Sequence, residues 1–451
     1  MQHNEVVQKL QSNFSTTKNL KESGIPWLGK IPEHWEMTII RSCFDESDVR
    51  CKLENYPLLS VTQEQGIVSQ ENITTKKDVS NDDKGNYKIV PIGGIAYNKM
   101  RMWQGAVGLN EIQEGIVSPA YVVVIPKQHI FSKFALYLFK TPNMIEEFGK
   151  YSYGLCSDMN SLRYEDFQNI SIPLPPLEEQ KAIADFLDKK THQIEEFITK
   201  KQKLIALLEE KKQTLINQCV TQGLDSSTSL KDSGVEWLGK IPTHWEVKKL
   251  KLLFGIGSGL GITKADFVPS GIPCVSYGEI HSKYPCRLNT GIHPLPYVSE
   301  DYLSSKPQAL LKKGDFVFAD TSEDIEGSGN FTSLQSDDPV FAGYHTIVLK
   351  PKTQSIHSPY FSFLFDSLGI RNQVRKEVCG VKVYSITKSI LKEVQCLIPP
   401  LEEQKAIAEY LDTQIEKIDL AICKIKSQIN LIKEYKTTLI PKAVCGRVGI
   451  D

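Results

Sequence analysis

LKESGIPWLGKIPEHWE at residues 20–36 and LKDSGVEWLGKIPTHWE at residues 230–246 are nearly the same sequence. A second pair of matches follows in the same order, PPLEEQKAIADFLD at residues 175–188 and PPLEEQKAIAEYLD at residues 399–412. We call these four stretches the frame. Two long matches in one chain order indicate an internal duplication. Since a length of 451 residues also suits two domains better than one, the sequence predicts two copies of one structural unit.

The frame divides the chain into modules and helices. Each copy begins with a module of mixed strands and helices, and a long helix follows it. The predicted boundaries are an N-terminal segment at 1–19, a first module at 20–174, a first helix at 175–219, a connector at 220–232, a second module at 233–398, a second helix at 399–440 and a C-terminal tail at 441–451. The predicted fold class is therefore α+β, with two mixed α/β modules joined by two long antiparallel coiled-coil helices in an internal pseudo-twofold repeat.

The second match of each copy has the features of a helix start. Pro175 and Pro176 suit the first turn of a helix or the approach to it, and Glu178 and Glu179 follow where the helix dipole favours acidic groups. Apolar residues then recur at steps of three and four, which is typical of a coiled-coil seam that pairs with the other copy. The seam positions are Leu187, Ile194, Ile198, Ile205, Leu208 and Leu215 in the first copy, and Leu411, Ile415, Ile418, Ile422, Ile425, Ile429, Ile432 and Leu439 in the second.

The module interiors, residues 37–170 and 247–395, share little sequence. A duplicated core that simply drifted would explain this, and so would two modules that recognise different targets from equivalent positions. The contrast with the preserved frame favours the second explanation. Apolar patterning and turn residues predict local elements in both interiors. The predicted strands are 122–126 and 345–351, and the predicted helices are 132–140 and 358–367.

Composition limits the classes of function. The chain is 41% hydrophobic and carries a formal net charge of −1, so bulk charge does not attract it to nucleic acid. It lacks an apolar run of the roughly 18 to 20 residues that a membrane span needs, and its first residues lack the layout of a secretion signal. None of the ten cysteines forms a Cys-x-x-Cys pair. These features predict a cytoplasmic protein with reduced thiols and no metal site.

The sequence lacks the motifs of a catalytic subunit. It has no Walker phosphate loop, no [ND]PP[YF] tetrapeptide and no His-Glu-x-x-His or Gly-x-Ser-x-Gly motif. GIGSGLGITK at 255–264 is rich in glycine but lacks the Walker spacing, and we predict a flexible loop there. His34 and His244 are equivalent residues of the frame, and we predict that each is packed or hydrogen-bonded rather than a general base. The sequence therefore predicts that the chain is not itself an enzyme.

These residues resemble the specificity (S) subunits of type I restriction–modification systems. The resemblance rests on Gly-x-x-Trp-Leu-Gly-Lys-Ile-Pro-x-His-Trp before each module and Pro-Pro-Leu-Glu-Glu-Gln before each helix. Segments 271–276 and 313–318 are similar to strand–turn segments of that family, and segment 96–105 has a similar character. The resemblance covers nearly the whole chain.

The resemblance implies that each module is a target-recognition domain for one half of a bipartite, asymmetric site in double-stranded DNA. The helices would set the spacer between the half-sites and dock two methylation (M) subunits, which bind S-adenosylmethionine and methylate adenine at N6. Restriction (R) subunits, which use ATP and Mg²⁺, would complete a complex that cuts DNA. The chain itself would bind no cofactor and would supply only the choice of sequence.

Candidate DNA-binding residues come from the divergent interiors, since phosphates and base edges are contacted by basic, amide and hydroxyl side chains. Residues 37–170 hold slightly more acidic than basic groups and residues 247–395 slightly more basic than acidic ones, so we expect a local basic face on the first module. The candidates in the first module are Lys76, Lys77, Asn98, Lys99, Arg101, Trp103 and Gln104. The candidates in the second are Ser258, Lys264, Tyr277, His281, Lys283, Arg287, His345, Lys382 and Tyr384.

Two other functions stay open on the sequence. One is a specificity subunit of a type IIB-like system, whose partner is a fused nuclease–methylase. The other is a coiled-coil scaffold whose modules bind proteins rather than DNA. A neighbouring gene for an amino-methyltransferase would exclude the scaffold, and a fused nuclease–methylase neighbour would favour the type IIB-like system.

Overall fold

The computed structural model describes residues 19–52, 56–72, 84–154, 160–235, 238–378, 380 and 383–449. The chain forms two compact units. Unit 1 combines residues 1–201 with residues 427–451, and unit 2 is residues 202–426. Each unit therefore contains one module and part of each long helix.

Short strands make up most of the module in unit 1. The strands are β1 (Leu20–Glu22), β2 (Lys30–Pro32), β3 (Glu36–Ile39), β4 (Phe44–Ser47), β5 (Leu59–Thr62), β6 (Gly66–Ser69), β7 (Lys88–Val90), β8 (Ile95–Asn98), β9 (Val107–Leu109), β10 (Gly115–Val117), β11 (Tyr121–Pro126) and β12 (Ser171–Leu174). The helices are α1 (Ile40–Cys43), α2 (Ser132–Phe139), α3 (Pro142–Lys150), α4 (Tyr164–Phe167) and the long α5 (Leu177–Gln222), with 3-10 turns at Gln70–Asn72 and Met102–Gln104. The predicted strand at 122–126 and helix at 132–140 are confirmed.

The central sheet of unit 1 is antiparallel, with strand order β4–β11–β8–β9. Because strand side chains alternate between faces, Val122 and Val124 of β11 join the main core, and Val123 joins a smaller cluster on the opposite face. The main core is rich in aromatic side chains. The rings of Phe139 and Phe167 lie 5.6 Å apart, and both contact Phe148. Helices α2, α3 and α4 are thereby fixed against one face of the sheet.

The module in unit 2 contains more strands. They are β13 (Leu230–Asp232), β14 (Lys240–Pro242), β15 (Glu246–Lys249), β16 (Phe254–Ser258), β17 (Ile272–Val275), β18 (Cys286–Leu288), β19 (Tyr297–Val298), β20 (Leu310–Leu311), β21 (Phe316–Ala319), β22 (Thr321–Ser322), β23 (Phe331–Leu334), β24 (Val340–Ala342), β25 (Thr346–Pro351), β26 (Tyr384–Ser385) and β27 (Gln395–Ile398). The helices are α6 (Leu250–Leu253), α7 (Tyr277–Ser282), α8 (Tyr302–Ser305), α9 (Ser358–Asp366), α10 (Leu368–Glu377), α11 (Lys388–Glu393) and the long α12 (Leu401–Val444), with 3-10 turns at Lys264–Asp266 and Pro307–Ala309.

The main sheet of unit 2 repeats that of unit 1. Its strand order is β16–β25–β21–β23–β18, and the first four strands follow the same order as β4–β11–β8–β9. A second sheet, β19–β17–β24–β20, is partly repeated in unit 1, where β10 pairs antiparallel with β7 as β24 does with β20. Leu58, just before β5, also forms a parallel bridge to Ile116 of β10, as β17 does to β24. The core again rests on phenylalanines, with the ring of Phe254 packed edge-on against Phe361 at 5.2 Å. The duplication predicted from the frame therefore extends to interiors whose sequences have diverged.

The two parts of the frame bind each other in unit 1. Strand β3, which begins at the last residue of the first part, pairs antiparallel with β12, which precedes the second. The indole N–H of Trp35 donates to Glu179 Oε1 at 3.0 Å, and His34 Nε2 donates to Glu179 Oε2 at 2.8 Å. The Glu179 carboxylate at the start of α5 thus binds two side chains at the beginning of the module.

Unit 2 repeats this arrangement. Strand β15 pairs antiparallel with β27, Trp245 Nε1 donates to Glu403 Oε2 at 3.1 Å, and His244 Nε2 donates to the same oxygen at 2.7 Å. The prediction that His34 and His244 are hydrogen-bonded parts of the frame is confirmed.

The glutamine that follows this glutamate is also part of the frame. Gln180 is buried, accepts the backbone N–H of Phe131 at 2.8 Å and donates to two backbone carbonyls. Gln404 is buried in the same way, accepts the backbone N–H of His357 at 3.0 Å and also donates to two carbonyls. Each glutamine therefore ties its long helix to the chain just before α2 or α9.

The long helices pack antiparallel within each unit. In unit 1, Glu195 of α5 accepts from Lys436 of α12 at 2.8 Å, and Leu187, earlier in α5, shares a core cluster with Val444, later in α12. In unit 2, Lys212 and Asp419 form the corresponding ion pair at 2.8 Å. The predicted fold class of two mixed modules and two long antiparallel helices is confirmed.

Seam residues are buried along most of α12 and near the start of α5. Those with less than a tenth of their surface exposed are Leu187, Ile194, Leu411, Ile418, Ile422, Ile425, Ile429 and Leu439. No helix of the described residues is both long and apolar enough to cross a membrane.

The long helices end later than the sequence predicts. Helix α5 continues to Gln222 rather than 219, and α12 passes through Pro441 and ends at Val444 rather than 440. A proline in a helix costs about 3 kcal/mol through its missing N–H and its clash with the preceding turn. Ala443 and Val444 are fully buried in the core of unit 1, and this packing outweighs the cost. The predicted tail at 441–451 is therefore wrong at its start.

The glycine-rich segment is also more ordered than predicted. Residues 254–258 form strand β16, which pairs with β25 and places Ser258 opposite Ile347. Gly259 follows, and a Cβ there would lie 2.2 Å from the Gly343 carbonyl oxygen, so only glycine fits. The flexible loop predicted at 255–264 is wrong for its first half, because the partner strand lies almost a hundred residues away in sequence.

Candidate nucleic-acid interface

Each main sheet contains two neighbouring strands of which one ends beside the start of the other. Strand β8 ends where β11 begins, and β21 ends where β25 begins, because both pairs are antiparallel. The loops after β8 and β21 therefore leave the sheet beside the residues that precede β11 and β25. We call this place the strand-end site of each module.

Three backbone hydrogen bonds recur at the two strand-end sites. The N–H of Lys99 donates to the Ala120 carbonyl, and that of Asp320 donates to the His345 carbonyl. The carbonyl of Lys99 accepts from Leu162, and that of Asp320 accepts from Ile386. The N–H of Asn98 donates to Ala106, and that of Ala319 donates to Asn330. The six bonds are 2.7–3.4 Å long. The backbones are thus equivalent, whereas the side chains differ at every one of these positions.

Three polar side chains are linked at the first strand-end site. Arg101 is exposed, and its Nη1 donates to Gln104 Oε1 at 3.1 Å. The same oxygen accepts from Nε2 of Gln63, in the β5–β6 turn, at 2.8 Å. Burial lowers the pKa of the neighbouring Lys140, whose Nζ lies 3.4 Å from the Gln63 carbonyl oxygen. An arginine and two amides of this kind can contact phosphates and base edges.

The remaining predicted residues of this segment shape the loop. Asn98 Oδ1 accepts the N–H of Met100 at 3.0 Å, and Trp103 Nε1 donates to the Met100 carbonyl at 3.0 Å. Burial raises the pKa of the Tyr121 hydroxyl, and a hydrogen bond donated by the Asn98 side chain to that hydroxyl opposes the shift. The structure places Asn98, Lys99, Arg101, Trp103 and Gln104 at the end of β8 and in the turn that follows it.

A second chain segment borders the first strand-end site. The guanidinium of Arg163 lies 5.7 Å from the centre of the Tyr153 ring, and Tyr153 donates its hydroxyl proton to Asp166 at 2.9 Å. Arg163 follows Leu162, which is bonded to the backbone of Lys99. The sequence did not indicate Gln63 or Arg163, because Gln63 reaches the site from a distant strand turn and Arg163 adjoins it only through the backbone of Leu162.

His281 has a defined protonation at the second strand-end site. Its Nε2 lies 2.8 Å from the Thr321 carbonyl oxygen, which can only accept, so Nε2 carries the proton. Its Nδ1 then accepts from Asn330 Nδ2 at 2.9 Å. Asn330 Oδ1 accepts a hydrogen bond from Nη1 of Arg371, and Arg371 also forms an ion pair with Asp366. His281 is thus hydrogen-bonded through both ring nitrogens, and it fixes the loop that carries Thr321.

The exposed face of the second strand-end site is formed by Asp320 and His345. His345 Nδ1 donates to Asp320 Oδ1 at 3.2 Å, and the Thr321 hydroxyl donates to the same oxygen at 2.7 Å. His345 has a φ of 55°, in the left-handed region that residues other than glycine rarely adopt. Such strain concentrates at functional sites.

Aromatic rings surround this face. The ring of Tyr277 packs edge-on against His345 at 5.4 Å and against Tyr344 at 5.5 Å. Burial raises the pKa of the Tyr344 hydroxyl. Strand β26 adds Tyr384, whose backbone lies opposite Ser322. The rings hold the polar groups in place and supply surface for stacking or apolar contact.

The other predicted residues of unit 2 lie in different surroundings. Ser258 is exposed at the end of β16, and Lys264 is exposed in a 3-10 turn beyond it. Lys283 lies 3.7 Å from Glu279 on helix α7. Arg287 is placed away from the strand-end site, because its guanidinium pairs with Asp412 of α12 and lies 4.9 Å from the Phe363 ring centre. It lines a cleft of about 720 Å³ beside the long helices.

Lys76, Lys77 and Lys382, which were also predicted to bind DNA, lie outside the described residues. Asp320, Thr321 and Asn330 were not among the predicted residues, although KGDFVFAD at 313–320 shows a buried strand followed directly by a carboxylate. The described residues contain no group of three or more His, Cys, Asp or Glu side chains that could hold a metal ion.

Comparison with known proteins assigns the family. The model of the type I restriction modification DNA specificity domain matches residues 41–207 and again residues 242–431. The chain therefore belongs to this family, and each module carries one copy of the domain.

Relatives and solved structures agree with this assignment. The chain is 29% identical to the type I restriction enzyme MjaVIII specificity subunit of Methanocaldococcus jannaschii, over 93% of this chain and 94% of that one. It is 22% identical to the EcoKI specificity subunit of Escherichia coli, over 72% and 68% of the two chains. In fold it is similar to a chain solved in a study of complex assembly and conformational transition of the type I system, with a TM-score of 0.69, 15% identity and coverage of 93% and 99%. The HsdS subunit of Thermoanaerobacter tengcongensis gives a TM-score of 0.58, 16% identity and coverage of 93% and 98%.

Proposed function

We propose that this chain is the DNA sequence-specificity subunit of a type I restriction–modification complex. Each module binds one half of a bipartite double-stranded DNA site through its strand-end site. The half-sites differ, so the whole site is asymmetric.

One observation carries this proposal. The two strand-end sites share their backbone hydrogen bonds and differ in the side chains that those bonds position. A fixed backbone with variable side chains is what two recognition domains need in order to bind different base sequences in the same way.

Local contacts rather than bulk charge account for binding. The chain has a formal net charge of −1, so nonspecific attraction to phosphates is weak. Arg101 is exposed at the first strand-end site, and Lys264 is exposed in the 3-10 turn that follows β16. Amide, hydroxyl and carboxylate groups beside them supply the donors and acceptors that distinguish base edges.

The partners and cofactors follow from the family rather than from this chain alone. We assign two M subunits to the long helices, and R subunits to the complete complex. S-adenosylmethionine belongs to the M subunits, which methylate adenine N6, and ATP and Mg²⁺ belong to the R subunits. This chain is non-catalytic, binds no cofactor and acts beside DNA in the cytoplasm. The absence of Walker and [ND]PP[YF] motifs from its sequence supports this division.

Two alternatives are less well supported. A type IIB-like system with a fused nuclease–methylase partner would need a different neighbouring gene, and the named relatives that span most of this chain are type I subunits. A protein-binding scaffold is less well supported, because the family model that matches both modules is that of a DNA specificity domain.

Genome-wide mapping of N6-methyladenine, with and without this gene, tests the proposal. We expect a gapped motif with two unlike halves that disappears on deletion and returns on complementation with the intact gene. An unchanged methylome in a strain whose M subunit is expressed and active would overturn it.

A further inference from the structure

The structure assigns a base to one residue: Asp320 accepts a hydrogen bond from the N4 amino group of a cytosine in the half-site bound by the second module. This inference rests on the proposed function and deepens it. Carboxylates accept from cytosine N4 in the major groove, whereas guanine and thymine present acceptors that a carboxylate repels.

Within the described part of the chain, hydrogen-bond donors contact one of the two carboxylate oxygens of Asp320. Oδ1 accepts from the hydroxyl of Thr321 and from Nδ1 of His345. No described residue donates to Oδ2, and a third of the side-chain surface is exposed. Two internal donors therefore orient the carboxylate, and no donor among the described residues occupies its second oxygen.

The backbone of Asp320 is fixed on both sides. Its N–H donates to the His345 carbonyl at 3.1 Å, and its carbonyl accepts from the N–H of Ile386 at 2.7 Å. A side chain on so constrained a backbone loses little entropy on binding and can discriminate between bases. The left-handed conformation of His345, which brings its ring over Asp320, is a local strain that this arrangement explains.

The equivalent residue of the first module has the opposite hydrogen-bonding character. Lys99 occupies the position of Asp320 in the matching set of backbone bonds. An ammonium only donates, whereas a carboxylate only accepts. The same backbone position therefore favours different base edges in the two modules, which makes the half-sites unlike.

Variants in the assembled complex test the assignment. Asp320→Asn replaces this acceptor with an amide that suits adenine. We expect one G·C position of a single half-site to become relaxed or to change to A·T, with at least about tenfold less methylation at the original motif and the other half-site unchanged. Asp337→Asn is the matched control, because Asp337 is exposed and paired only with Lys313 among the described residues. It should leave the motif intact.

A second measurement uses the wild-type complex and so does not depend on folding of a variant. Duplexes are compared in which each cytosine of the half-site is replaced in turn by 2-pyrimidinone, which lacks the N4 amino group. One position should lose about tenfold or more in affinity. Equal affinity at every position, or an unaltered motif with Asp320→Asn, overturns the assignment and leaves the proposed function standing. A wild-type gene that directs no gapped motif would instead overturn the proposed function.

Discussion

The indole N–H of Trp35 donates to the carboxylate of Glu179, 144 residues later in the chain, at 3.0 Å. The same bond recurs between Trp245 and Glu403. The tryptophans are fully buried, so each indole N–H needs an acceptor that water cannot replace. This bond explains why both parts of the frame are preserved together. The histidine and tryptophan of the first part bind the glutamate of the Pro-Pro-Leu-Glu-Glu-Gln segment, and this contact joins the start of each module to its long helix.

Removing the acceptor should destabilise one unit. Glu179→Ala leaves the buried Trp35 N–H unpaired, which costs about 1–3 kcal/mol. Urea unfolding of the full chain, with hydrogen exchange to locate the change in unit 1, measures the loss. Glu178→Ala is the matched control, because Glu178 forms only an exposed pair with Lys181 among the described residues, and its loss should stay within about 0.5 kcal/mol. Equal effects of the two substitutions would contradict this role of Glu179.

Loss of Arg101 should weaken DNA binding by the assembled complex. Arg101→Ala is expected to cost about 1–3 kcal/mol if the guanidinium contacts a base, with relaxed preference at one position of one half-site. A phosphate contact would instead weaken binding to all sequences and reduce the salt dependence. Arg41→Ala, an exposed arginine of the same module placed on α1, serves as control. Undiminished affinity together with an unchanged site preference would exclude Arg101 from the interface.

Lengthening both helices should change the spacer and spare the half-sites. One heptad inserted after Lys201 and another after Lys426, where the two units meet in sequence, keeps the seam in register. Seven residues at about 1.5 Å each add roughly 10 Å, which corresponds to roughly three base pairs. The motif from methylation mapping should keep both halves and gain spacer. An altered half-site would mean that the helices do more than separate the modules.

Acid should remove one stabilising contact of unit 2. Hydrogen bonds from Lys249 and Lys251 lower the pKa of the Glu393 carboxyl from 4.5 to about 2. Because the folded pKa lies below the unfolded one, the contribution is complete above about pH 4.5 and declines as the pH falls toward 2. The stability difference between wild type and Glu393→Gln should therefore shrink between pH 6 and pH 3, and high salt should reduce it further, since the side chains are half exposed. Glu300→Gln, another exposed glutamate of unit 2, controls for charge removal, and an identical pH profile for the two variants would contradict the prediction.

Candidate residues that are neighbours in sequence could be predicted, whereas those whose partners lie far away in sequence could not. The loop that carries Asn98, Arg101 and Gln104 was predicted from a single segment, because its polar and aromatic residues are close neighbours in the chain. Gln63 and Arg163 were missed because they join this loop only through the fold. Arg287 was predicted for DNA, but Asp412 of a distant helix binds it instead, and a lone arginine in a sequence gives no sign of its partner.

The sequence by itself determined the duplication, the paired frame, the two long helices with their seam and the family. Identical segments in one chain form identical local structures, and a heptad pattern depends on spacing alone. The tertiary structure decided where the helices end, because burial of Ala443 and Val444 outweighs the cost of Pro441. It also decided which divergent residues are equivalent, since Lys99 and Asp320 have no sequence match. The two residues are equivalent because they form matching backbone hydrogen bonds. Strand pairing in the folded sheet brings the bonded segments together, so neighbouring residues in the sequence do not indicate these bonds.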